Sequence, residues 1–240
     1  MSDRSALKIK IFADGADLAG IRALATNPLI KGFTTNPTLM RKAGIQDYEA
    51  FAREVLDSVG GRPVSLEVFA DDFAEMAAQG RRIASWGKNA NVKIPISDTK
   101  GVFAGKVIRE LAGAGIVVNV TAMMTVEQVA AVADCLNPEI PAIISVFAGR
   151  IADTGRDPIP HMIRCREALS HLPKAELLWA SPRELLNLFQ ADAMGCHIIT
   201  VTSDVLAKLA LVDKDLDAYS LDTVRMFYQD AAAAGYVIRT

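Results

Sequence analysis

The chain has 240 residues, 51% of them apolar and 22% charged, which suits a protein with a sizeable core and excludes a disordered one. Its 26 lysines and arginines against 28 aspartates and glutamates leave a formal charge of −2, so no basic field points to nucleic acid or an acidic membrane surface. The longest apolar stretch, around Ile140 to Gly149, is interrupted by Pro141 and falls short of the ~20 residues that span a bilayer.

Along the chain, short β-rich runs alternate with longer helical patterns. Strands are predicted at 8–13, 30–35, 64–69, 91–96, 116–121, 142–147, 176–180 and 197–202. Apolar residues at spacings of three and four fill 38–58, 71–86, 102–113, 126–136, 158–171 and 183–194, the period of a helix with one buried face. Strand and helix alternating eight times predicts a single-domain (β/α)8 barrel over residues 1–240. An open doubly wound sheet is the alternative, but it usually stops at about five or six strands, and no GxGxxG follows the first strand. A terminal helical segment, 220–234, ends at Gly235 and leaves the apolar tail Tyr236-Val237-Ile238. Such tails pack across their own barrel or on a neighbouring subunit, and a homo-oligomer is expected.

Cys135, Cys165 and Cys196 are odd in number and far apart, which argues against a disulfide framework. His161, His171 and His197 are equally scattered, with no HExxH or CxxC nearby, so no metal site is expected. The opening residues MSDRSALKIK contain no hydrophobic signal core, and with the cysteine usage this predicts a cytoplasmic protein.

Side chains alternate across a strand. In the fourth run Val92, Ile94 and Ile96 share the face that suits the helix layer, which turns Asn91, Lys93 and Pro95 into the barrel. The same rule sends Ser65, Glu67 and Phe69 inward from the third run, Val117, Asn119 and Thr121 from the fifth, and Lys10, Phe12 and Asp14 from the first. Thr34 and Asn36 share a side on the second, as do Ile143, Ser145 and Phe147 on the sixth. The inward polar residues lie late in their strands, and the C-terminal strand ends of a barrel converge on one mouth. Asp14, Asn36, Glu67, Lys93, Asn119, Thr121 and Ser145 are therefore expected to line one pocket. Taken alone, Lys93 could equally snorkel to solvent or pair with a carboxylate.

Those residue types suggest a chemistry. A desolvated lysine favours the neutral amine, which condenses with a ketone to a Schiff base. Glu67, through a water held by Thr121, would move the protons of that condensation. Asp14 is the carboxylate left to act as base on a β-hydroxyl when the neighbouring carbon–carbon bond breaks. Asn36, Asn119 and Ser145 would fix sugar hydroxyls. No cofactor is needed, because the iminium is itself the electron sink.

Ser181, Pro182 and Glu184 have the spacing of a capping box, so this segment is expected to start a helix. A helix N-terminus also attracts anions, and Arg183, with Arg150 just after the sixth strand, would add charge to a phosphate clamp. Arg156 is the weaker candidate. Thr125 with Gln128 is a second capping box, and Asn36 before Pro37 reads as an N-cap that could also meet a ligand. Met123, Met124 and Met194 read as core fillers, and Trp179 as core or as a wall of the pocket.

The chain resembles the transaldolases, in particular the short subfamily that includes fructose-6-phosphate aldolase. The likeness runs through Phe12-Ala13-Asp14, Thr34-Thr35-Asn36-Pro37-Thr38, Ser65-Leu66-Glu67-Val68, Asn91-Val92-Lys93-Ile94-Pro95, Asn119-Val120-Thr121, Ser145 to Ile151 and Ala180-Ser181-Pro182-Arg183. It implies a barrel of the class I aldolase type, with Lys93 as the Schiff-base lysine and Asp14 as the acid/base of carbon–carbon cleavage. It also implies that Glu67 and Thr121 hold the catalytic water. Asn36, Asn119 and Ser145 would contact a dihydroxyacetone moiety, and Arg150, Ser181 and Arg183 a phosphate. The implied partners are small-molecule sugar phosphates, with a dihydroxyacetone unit passing from a ketose phosphate such as fructose 6-phosphate or sedoheptulose 7-phosphate to an aldose phosphate. Glu67 and Phe147 stand where the aldolases of the subfamily carry Gln and Tyr, which favours transfer over release of free dihydroxyacetone. Val146, Trp179 and Pro182 depart from the pattern near the anion-binding end. The competing readings are an aldolase that releases dihydroxyacetone and a sugar-phosphate-binding barrel without catalysis.

Overall fold

In a computed structural model that describes residues 7–239, eight parallel strands pair in sequence order. The eighth pairs back with the first to close the barrel. They are β1 (Lys10–Asp14), β2 (Ile30–Thr34), β3 (Val64–Glu67), β4 (Ala90–Pro95), β5 (Val118–Met123), β6 (Ala142–Val146), β7 (Ala175–Trp179) and β8 (Ile198–Thr202). Residues 1–6, which carry part of the signal-core expectation, and residue 240 lie outside the described residues.

The helices are α1 (Leu18–Ala25), α2 (Pro37–Lys42), α3 (Tyr48–Ser58), α4 (Phe73–Ala84), α5 (Gly105–Gly113) and α6 (Val126–Ala133). They continue with α7 (Ala148–Asp153), α8 (Pro158–Ala168), α9 (Leu186–Ala193), α10 (Ser203–Ala207) and α11 (Leu216–Ala233). Many start where a polar side chain takes up an orphan backbone N–H. Asp17, Asp47, Asp72, Asp157 and Asp215 each cap a helix in this way. Thr125 and Gln128 form the predicted capping box, and Asn36 caps α2 with Pro37 in its first turn. The stretch predicted as helical over 38–58 is two helices, because the chain turns at Gly44 with φ of 72°, a conformation glycine adopts without strain. The terminal helix begins at Leu216, before its predicted start at 220. No helix among the described residues is long and apolar enough to cross a membrane.

Strand alternation sorts the core into two layers. Ile9, Ile11, Val64, Leu66, Val92, Ile94, Val118 and Val120 pack outward against the helices, as expected. Inside the barrel Phe12, Ile143, Leu178, Ala180 and Ile198 form a separate cluster with Phe147 at its edge. Gly32 is small for a reason of space: a Cβ there would collide with the Phe12 ring. Trp179 is fully buried in the outer layer, so it is core and does not wall the pocket. The inward position expected for Phe69 is not met. β3 ends at Glu67, and Phe69 lies outside on the Tyr48 ring, 4.6 Å between centroids.

Candidate active site

A cavity of about 450 Å³ opens at the C-terminal ends of the strands, the face on which barrel enzymes build their sites. Of the residues predicted to meet there, Asp14, Asn36, Glu67, Lys93, Asn119, Thr121, Ser145, Phe147, Arg150 and Ser181 all line it. Arg183 does not.

Register explains the central row. Glu67 on β3 lies opposite Lys93 on β4, and Lys93 lies opposite Asn119 on β5. Lys93 is 8% exposed, and its Nζ donates to Glu67 Oε2 at 2.9 Å and to the Thr35 carbonyl at 3.1 Å. The amine is thus buried but paired. Beneath it runs a buried chain of neutral groups: Ser145 Oγ donates to Asn119 Oδ1 at 2.7 Å, and Asn119 Nδ2 donates to Ser65 Oγ at 2.9 Å. These bonds fix the orientation of the Asn119 amide and hold Ser145 towards the cavity.

Asp14 stands at the end of β1, where Thr34 Oγ1 donates to its Oδ1 at 2.8 Å. Burial raises its pKa above the ordinary aspartate value, opposed by the Thr34 hydrogen bond and the Lys93 charge and reinforced by the Glu67 charge. At the end of β5 the ladder slips between Val120 and Met123, and Ala122 sits at φ 65°. A bulge of this kind re-aims side chains, and here Thr121 and Ala122 both line the cavity. Thr121 Oγ1 is buried and has no hydrogen-bond partner among the described residues. Met124, expected in the core, is partly exposed and lines the cavity, whereas Met123 and Met194 are buried.

The anion end differs from the sequence reading. Ser181 is not a helix N-cap: its φ is 57°, and α9 begins only at Leu186. The amides of Arg183 and Glu184 are taken up instead by Asn187 Oδ1. Gly149 makes room for this turn, because a Cβ there would run into the Ser181 carbonyl. The Arg150 guanidinium lies 5.2 Å from the Phe147 ring centroid, a cation–π distance. Arg183 is held away from the cavity by a two-point pair with Asp153 of α7, its Nε at 3.0 Å from Oδ1 and its Nη2 on Oδ2.

Thr34 and Thr200 are polar cavity residues that inward counting undervalued. The alternation puts Thr34 on the inner side but gives it no role, and Thr200 falls within the eighth predicted strand without being singled out; both line the cavity. The signal was available, since Ile198, Thr200 and Thr202 repeat the alternation of the other strands. Cys135, Cys165 and Cys196 are buried free thiols, and burial raises the pKa of each, with Cys196 pushed up to about 12. Among the described residues no three His, Cys, Asp or Glu side chains are grouped to hold a metal ion.

Comparison with known proteins shows the family. The sequence model of the family Transaldolase/Fructose-6-phosphate aldolase matches residues 11–237. A protein named probable transaldolase from Rhodospirillum centenum is 34% identical over 220 residues, covering 89% of this chain and 90% of that protein. Another so named, from Lactiplantibacillus plantarum, is 36% identical over 220 residues, covering 89% and 96%. The chain belongs to the transaldolase/fructose-6-phosphate aldolase family. Two distantly related solved structures share the barrel fold. Dihydrodipicolinate synthase from Thermotoga maritima aligns with a TM-score of 0.62 at 11% identity, over 94% of this chain and 81% of that one. N-acetylneuraminate lyase from Mycoplasma synoviae aligns at 0.51 and 10%, over 94% and 83%.

Proposed function

We propose that the protein is a transaldolase, passing a dihydroxyacetone unit from a ketose phosphate to an aldose phosphate through a Schiff base on Lys93. The observation that carries this reading is a buried lysine in contact with one carboxylate, Glu67, with a second carboxylate, Asp14, in the same cavity. Glu67 Oε2 takes the Lys93 proton, and the freed amine attacks the ketose carbonyl. The carbinolamine hydroxyl leaves as water after receiving a proton from Glu67, relayed by a water on the Thr121 hydroxyl. A water is the natural partner for a buried hydroxyl that the protein leaves unpaired.

Asp14 then removes the proton of the hydroxyl β to the iminium. The O–H pair becomes the carbonyl of the departing aldehyde, and the broken carbon–carbon pair flows into the iminium to give an enamine on Lys93. In the second half the enamine carbon attacks the acceptor aldehyde, and Asp14 returns its proton to the new alkoxide. Asn36, Asn119 and Ser145 contact the hydroxyls of the bound unit. Arg150 and Ser181 meet the phosphate, joined by Arg183 once it leaves Asp153. Exposed pairs of that kind are worth only about 0–1 kcal/mol, so a phosphate can displace the carboxylate at little cost.

Phe147 in place of a hydroxylated ring supports transfer over release. The second reading, an aldolase, needs a proton donor to quench the enamine, and Phe147 offers none. The Asp14, Glu67 and Lys93 set argues against a binding barrel without catalysis. The exposed apolar surface of α11 supports a homo-oligomer, and three buried cysteines that form no disulfide with one another support a reducing, cytoplasmic setting.

Borohydride reduction with fructose 6-phosphate, followed by peptide mass mapping, is expected to trap the sugar on Lys93, and Lys93→Met to abolish the adduct. Product is expected only when an aldose phosphate acceptor is present. Turnover without acceptor would favour the aldolase, and no adduct with any ketose phosphate would remove the Schiff-base reading.

A further inference from the structure

We infer that Thr200 is a positioning residue for the carbon–carbon bond step, acting on Asp14 through the hydroxyl of Thr34. The inference rests on the reading of Asp14 as the acid/base group. In the closed barrel β1 lies between β2 and β8, so side chains pointing inward from those two strands meet beside Asp14. Thr34 Oγ1 donates to Asp14 Oδ1 at 2.8 Å and is hydrogen-bonded to Thr200 Oγ1. Both threonines are buried and line the same cavity as Asp14.

Each hydroxyl carries one hydrogen. While Asp14 is a carboxylate, the hydrogen of Thr34 is committed to Oδ1, and the Thr34 oxygen is left to accept from Thr200. The chain then runs Thr200 to Thr34 to Asp14, and each bond polarises the next. With Oδ1 occupied as acceptor, proton exchange with substrate is left to Oδ2. A Thr200 without its hydroxyl leaves the Thr34 oxygen without a donor, weakens its bond to Oδ1 and favours protonated Asp14.

The charged groups that act on Asp14 are Lys93 from β4 and Glu67 from β3. Asp17 shares a small cleft with Asp14 but turns its carboxylate to Gly20 N at 2.8 Å. Thr200 therefore reaches Asp14 without touching the Lys93–Glu67 pair, which separates its effect from Schiff-base formation.

The test compares Thr200→Val and Thr200→Ser with the wild type, using fructose 6-phosphate and an aldose phosphate acceptor. Thr200→Val is expected to keep the borohydride-trapped Lys93 adduct. It should lower kcat roughly tenfold, part of the ~10²–10⁴ that a positioned base supplies, with little change in KM. Its acid limb in the pH–rate profile should move up by roughly half a pH unit, as expected when a carboxylate loses hydrogen-bond support, and Thr200→Ser should restore both. A Thr200→Val enzyme with a normal profile, or a loss that Thr200→Ser shares, overturns the inference. A wild type that forms no adduct strikes the parent reading instead.

Discussion

Asp14 stands beside a lysine and a glutamate in a partly buried position, and burial outweighs its favourable contacts, raising its pKa. The consequence for stability has a definite sign. Between 3.8, its ordinary value, and its higher folded value, the native state binds more protons than the unfolded one. Stability from this group therefore falls as pH rises through that window, and the loss is complete above the folded value. Asparagine cannot ionise, and its Oδ1 still accepts from Thr34. Asp14→Asn is thus expected to raise the Tm at pH 7 to 8, with the gain shrinking towards pH 4, and to lower kcat by about 10²–10⁴. Thermal unfolding followed across pH checks it: an equal or lower Tm at neutral pH would contradict the assigned direction. Asp14, Glu67, Lys93, Asn119 and Ser145 were legible in the sequence because a polar residue on the inner face of an apolar strand has few structural excuses. The inward parity of Thr200 was legible but its role was not, because threonine is at home in any strand and its partner lies far away in sequence on β2.

Among the elements, the segment between β7 and α9 shows where local pattern misleads. Ser181, Pro182 and Glu184 satisfy the capping spacing, yet α9 starts at Leu186 and Asn187 takes up the free amides. The reason is tertiary. The Ser181 carbonyl packs on Gly149 at the start of α7, and the serine accepts a left-handed conformation to reach it. The barrel itself was legible, since period-2 and period-3.6 runs alternate with little ambiguity, whereas strand ends such as Glu67 depend on neighbours. That packing carries Arg183 towards Asp153. Arg183→Ala is expected to raise KM for phosphorylated donors by about tenfold or more, the size of a lost charge-assisted hydrogen bond, and to leave unphosphorylated donors unchanged. Asp153→Asn, which frees the guanidinium, should lower KM for the phosphorylated ones. An equal loss of both donor types in Arg183→Ala would remove the arginine from the clamp.

For the molecule as a whole, the barrel closes and fills its two core layers without help from α11. Strands β1 and β8 pair over five residues, and the outer layer is complete by Val205 with Leu206 and Leu209 against it. No residue of α11 is buried. Leu221, Val224 and Tyr228 recur at spacings of three and four on this helix and are 48%, 59% and 77% exposed, while Tyr236, Val237 and Ile238 beyond it are at least 79% exposed. A large apolar side chain left in water forgoes about 1.5–3 kcal/mol of burial, so we propose the exposed apolar face of this helix as a contact surface. A second copy of the chain is the proposed occupant. Sedimentation equilibrium is expected to give a mass of at least twice the single chain for the wild type. Val224→Glu combined with Tyr228→Glu should lower that mass and leave the far-ultraviolet dichroism unchanged, because neither side chain is buried against the barrel. Deleting 216–240 should act the same way and preserve trapping at Lys93. A wild type that sediments as a single chain at micromolar concentration would leave α11 without this role.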